Sequence, residues 1–92
     1  MLRRTPANFL DLRVAIAGLH VVRFWYQGEE IEIEPHALLQ AGGSEAFVVV
    51  GWRDGWEFYR YADMRDLVFT DRFFEPRGDV PQRVPLGTTK RD

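Results

Sequence analysis

From His20 onward the chain alternates with a period of two: Val22, Phe24 and Tyr26 on one side, Val21, Arg23 and Trp25 on the other. That period belongs to a β-strand. Gln27-Gly28 then interrupts it, and glycine supplies the positive φ that a two-residue hairpin requires. Glu30-Ile31-Glu32-Ile33-Glu34 alternates even more cleanly, with isoleucines on one face and three carboxylates on the other. Two such runs around a tight turn commit the chain to antiparallel sheet.

The rest follows the same logic. Pro35 lacks an N–H and is expected to end regular pairing nearby. His36–Gln40 could extend the sheet, and Ala41-Gly42-Gly43-Ser44 reads as a turn. Ala46–Trp52 is apolar without alternation, which predicts a central strand covered on both faces. Asp54-Gly55 is a strong turn signal, and Trp56–Tyr61 returns as a strand. Ala62–Asp66 is expected to form one helical turn, Leu67–Thr70 the last strand, and Phe73-Phe74 to pack back on the core.

Ahead of the sheet, Phe9, Leu12, Ala15, Ile16 and Leu19 recur at helical spacing. Asn8 is the expected N-cap, Asp11 puts negative charge in the first turn, and Gly18 is the expected stop. With 92 residues and 13 aromatic side chains among them (seven Phe, three Trp, three Tyr), one modest core can form. The expected fold is mainly β: a small SH3-like or Sm-like antiparallel barrel of about five strands with one N-terminal helix. Residues 1–8 would be a lead-in, 9–78 the domain, and 79–92 a flexible tail rich in Pro and Gly. Removing residues 80–92 should then change stability by no more than about 0.5 kcal/mol.

Several chemistries are excluded or disfavoured. There is no cysteine, hence no disulfide, thiol nucleophile or thiolate zinc site. His20 and His36 are the only histidines and neither has a ligand-spaced carboxylate, so no metal or cofactor is expected. Ser44, Thr88 and Thr89 have no adjacent base to activate them. Glu30, Glu32 and Glu34 share a face, which suits a solvated acidic edge better than paired catalytic acids. The expectation is a non-enzymatic protein. No apolar run approaches the ~20 residues of a membrane span, and Pro6, Asn8 and Asp11 break the N-terminal stretch that a signal peptide would need. A cytoplasmic protein without membrane contact is expected. A net charge of −2 gives no strong pull on nucleic acid.

Phe24-x-Tyr26-x-Gly28, Glu34-Pro35-His36, Gly51-Trp52, Gly55-Trp56, Tyr59-Arg60, Phe73 and Pro76-Arg77 occur in this order over roughly residues 10–78. The ordered set resembles the WYL domain, in particular its short stand-alone bacterial forms. The resemblance implies an SH3-like or Sm-like barrel and a regulatory, ligand-sensing role connected with transcription, with anionic, nucleotide-like or nucleic-acid ligands. The family's three eponymous letters fall at Phe47-Val48-Val49, and positions where basic residues are common hold Trp25, Ile31 and Ala62-Asp63.

Together these readings give a candidate ligand site of Arg60, His36, Tyr26 and Trp52. Arg60 shares a face with Trp56 and Phe58, an odd place for a permanent charge. It must either pair with an acid such as Glu57, Asp63 or Asp66, or converge with His36 on an anionic ligand. The alternatives are an Sm-like nucleic-acid module and a protein-interaction adaptor. Trp25 beside Val21 would serve a homodimer or partner interface, unless Trp25 packs beneath the helix.

Overall fold

The computed structural model describes residues 4–40 and 46–84. The 41–44 turn, Ser44, Thr88, Thr89 and the end of the tail lie outside the described residues. Helix α1 spans Phe9–Gly18 and is capped by Asn8, whose side-chain oxygen accepts from the Asp11 N–H. The stop differs in detail from expectation. Leu19 takes the left-handed turn at φ 60°, and Gly18 remains helical. Gly18 matters through close approach, since a Cβ there would stand 2.9 Å from the His20 ring.

Five strands follow: β1 His20–Tyr26, β2 Glu29–Gln40, β3 Phe47–Trp52, β4 Trp56–Arg60 and β5 Met64–Phe73. They form one antiparallel sheet in the order β4-β3-β2-β1-β5. Among the described residues no pairing joins β4 to β5, so the sheet is open at both edges. Gln27 and Gly28 both have positive φ, 51° and 81°, and make the tight β1–β2 turn the sequence predicts.

Three elements depart from the sequence reading. Pro35 does not end β2. The strand pairs with β1 up to Ile33, passes to β3 at Glu34, and absorbs the proline in a bulge between Pro35 and Ala37. The helical turn is a short 3₁₀ segment at Tyr61–Asp63, and β5 begins at Met64 rather than Leu67. Along β5, Trp25 pairs with Arg65 and Arg23 with Val68, so β5 carries an extra residue there. Asp66, at φ 55°, takes up the bulge.

The inner face of the curved sheet holds the core. Phe24, Tyr26 and Tyr59 meet edge to face, with centroids 4.9–6.3 Å apart. Leu12 and Ala15 of α1 pack on them together with Val22, Ile31, Ile33, Val49 and Met64. Val48, Val49, Val50 and Gly51 are all buried, so β3 is covered on both faces as its composition predicts. The three glutamates are not at an edge. They lie on β2, the middle strand, where Glu30 pairs with Arg23 at 3.1 Å, Glu32 with Arg72, and Glu34 with Arg77 at 3.1 Å.

The lead-in is built into the sheet margin. Pro6 bridges Arg65, Ala7 N–H donates to Met64 O, and Asp66 N–H donates to Thr5 O. The bulge turns the Asp66 carboxylate back to accept from Arg4 (2.8 Å) and from the Thr5 N–H (2.8 Å). These bonds, Arg4 first, hold the Asp66 carboxyl below the usual aspartate range. A lowered folded-state value means that the contact is whole above the ordinary aspartate pKa and is lost as pH falls through the folded value. The Thr5 amide resonance should therefore titrate with a midpoint below that of an unperturbed aspartate. Asp66→Asn, which tolerates the left-handed backbone, should abolish the titration. A Thr5 amide that titrates unchanged in this variant would assign the effect to another group.

Candidate ligand site

The four candidate residues separate into two groups. At one end of the outer sheet face, Trp52 and Trp56 pair across the β3–β4 hairpin with centroids 5.2 Å apart. His36, in the β2 bulge, stands 4.9 Å from Trp56 and from Phe74. Its Nδ1 donates to Glu34 O at 2.8 Å, and its Nε2 accepts from the Arg77 N–H at 3.0 Å. The Arg77 guanidinium lies 4.2 Å above the Trp52 ring and reaches Glu34 through Nε. Both ring nitrogens of His36 are thus engaged by the chain itself. This end of the sheet is occupied by the protein's own C-terminal segment.

Arg60 lies elsewhere. It is four residues beyond Trp56 along β4, about 13 Å at a strand's rise. Arg60 and His36 therefore do not converge on one groove. Tyr26 does join Arg60, but through the backbone: the buried Tyr26 hydroxyl accepts from the Arg60 N–H at 3.0 Å. The Arg60 side chain is about half exposed, and Nε is 3.6 Å from Asp63 Oδ2. That is an ion pair, but too long for a hydrogen bond of ordinary strength.

Beside Arg60 is a cavity of about 350 Å³ lined by Phe9, Ala46, Phe47, Arg60, Tyr61 and Ala62. Three rings wall it, with Phe9 4.9 Å from Phe47 and 5.4 Å from Tyr61. The Tyr61 hydroxyl donates to Ala7 O at 2.7 Å, which fixes that ring. Among the described residues Arg60 is the one charged residue of the lining. The rings that share this cavity with Arg60 are thus Phe9, Phe47 and Tyr61. Sequence reasoning placed Phe9 on the helix's core face and missed its second role, because nothing local in the sequence brings α1 to the end of β4.

A second cavity of about 340 Å³ is lined in part by Glu32, Glu34, Trp52, Arg53, Arg72 and Arg77. Each arginine there is matched: Arg53 with Glu57 at 3.3 Å, Arg72 with Glu32, Arg77 with Glu34. Tyr59 also donates to Glu57, and burial, reinforced by this bond, raises its phenol far above the usual range. Balanced charge of this kind makes a poor polyanion track.

Trp25 lies on the outer face, opposite the helix, so it does not pack beneath α1. It is half-buried, and the Arg4 guanidinium covers its ring at 3.8 Å. Val21 is buried, with 9% of its surface exposed. His20, at the start of β1, packs its ring between Phe69 and Phe73 at 4.9 and 4.5 Å. Among the described residues no group of three or more His, Asp or Glu is placed to hold a metal ion, and no helix is long and apolar enough to cross a membrane. Comparison with protein-family models, with curated proteins and with solved structures finds no match to this chain.

Proposed function

We propose that this chain is a non-enzymatic, WYL-like ligand-sensing module that takes a small anionic ligand at the Arg60 cavity and acts as a regulatory domain in the cytoplasm. Five antiparallel strands behind a helix support the SH3-like or Sm-like barrel that this reading assumes. One observation carries the functional part. Among the described residues, a single guanidinium, loosely paired, stands at a concave surface otherwise made of aromatic rings and alanines. Ligand sites have this character: an apolar enclosure with few polar groups to fix orientation.

A nucleic-acid role is less well supported, because the arginines around Trp52 are each neutralised by a carboxylate. A fragment screen by ligand-observed NMR tests the proposal. Anionic fragments should bind the wild type and lose about tenfold or more in affinity to Arg60→Ala, whose fold should be intact. If no anion binds in an Arg60-dependent way, the proposal fails. Oligonucleotide binding with a steep salt dependence would favour the Sm-like alternative instead.

A further inference from the structure

The dimensions and charges of the Arg60 cavity restrict its ligand further than "anion". We infer that it takes a monocarboxylate with a compact, ring-bearing apolar body, and that Asp63 is an internal competitor which the incoming carboxylate displaces. The inference rests on the Arg60 reading above.

Size comes first. A dry cavity of about 150 Å³ already accepts benzene. The roughly 350 Å³ here holds a ring and a short acid arm. The walls suit a ring, because Phe9 meets Tyr61 at 82° and Phe47 at 58°, presenting both faces and edges. Tyr61 is held by Ala7 and the Arg60 backbone by Tyr26, so neither that wall nor the strand that carries the anchor must be organised on binding.

Charge sets the headgroup. Arg60 is the one cation of the lining among the described residues, and a planar guanidinium fork matches a carboxylate bidentately. A dianion would place its second charge near Asp63, and the described lining holds no second cation to meet it. Arg65, the nearest basic residue in sequence, commits its Nη1 to Ala62 O and Met64 O at 2.7 and 2.9 Å.

Asp63 already supplies what the ligand would supply. At 3.6 Å, with both side chains about half exposed, its pair with Arg60 is weak and easily exchanged. A ligand carboxylate that reaches hydrogen-bonding distance, with its body buried against three rings, replaces a loose contact with a close one.

The test uses three probes: 3-phenylpropionate, its neutral counterpart 3-phenylpropanol, and the dianion phenyl phosphate. Each is titrated into the full chain while backbone amide resonances are followed. The propionate should shift the amides of Phe9, Phe47 and Tyr61, and bind about tenfold more tightly than the alcohol or the phosphate. Arg60→Gln should bring acid and alcohol to the same affinity. Asp63→Asn should tighten the propionate severalfold and leave the alcohol unchanged. If alcohol and acid bind alike in the wild type, the carboxylate class is wrong. If phosphate binds best, the headgroup is wrong. An Asp63→Asn variant that binds the propionate no better removes the competitor role. If no probe shifts those amides and the fragment screen also finds no Arg60-dependent anion, the underlying reading falls as well.

Discussion

Phe24→Ala should cost about 3–5 kcal/mol, a large share of the ~5–15 kcal/mol that holds a folded domain together. The ring is 1% exposed and contacts both Tyr26 and Tyr59 edge to face. Its removal leaves a hole that neither tyrosine can fill without breaking its own hydrogen bond, to the Arg60 N–H or to Glu57. Urea denaturation should show a much lower midpoint at an unchanged slope. Phe73→Ala is the control. That ring is 65% exposed, and its loss should cost less than about 1 kcal/mol. Equal losses in the two variants would mean that the core lies elsewhere.

Ending the chain after Phe73 should cost about 2–4 kcal/mol, whereas ending it after Asp79 should cost no more than about 0.5 kcal/mol. The difference lies in residues 74–79. Phe74 is 8% exposed against His36, and its N–H donates to Leu19 O. Arg77 closes the contact through His36, Glu34 and Trp52. Residues 79–84 form no helix or strand, although Val80, Pro81 and Val84 are part-buried. His36→Ala in the full chain should reproduce part of the larger loss, because it removes the acceptor for the Arg77 N–H and a ring from under Phe74. Thermal melts of the three variants give the comparison. A chain ending at Phe73 that is as stable as one ending at Asp79 would show that the segment lies on the sheet without stabilising it.

How much of this was legible in the sequence depends on the range over which each signal acts. The helix with its Asn8 cap, the Gln27-Gly28 and Asp54-Gly55 turns and the doubly covered β3 are encoded within a few residues, and all are found. The path of β2 past Pro35 was not legible. Proline's missing donor normally ends pairing, but here it falls where the strand exchanges one partner for the other. The start of β5 was missed because Asp66 reads as a turn former, and its left-handed bulge keeps the strand going. In the site, Arg60 and its pairing with an acid could be anticipated from alternation alone. Its neighbours could not. Tyr26 was expected to face a ligand and instead holds the Arg60 backbone from the core. His36 was expected beside Arg60, yet the strand between them runs the length of β4.

The exchange of partners along β2 bears on the order in which the sheet can assemble. β1–β2, β2–β3 and β3–β4 are hairpins between neighbours in sequence, so each pairing closes a short loop. β1–β5 is different: Val22 must find Phe69 after everything between them has been traversed. Loop-closure entropy makes that pairing the slow one, and contact order places it late. Because β2 belongs to both halves, the three hairpins form a template on which β5 docks last. The lead-in, whose backbone bonds are to β5, can settle only after that. The same hierarchy run backwards makes the β5 margin the first part of the sheet to open.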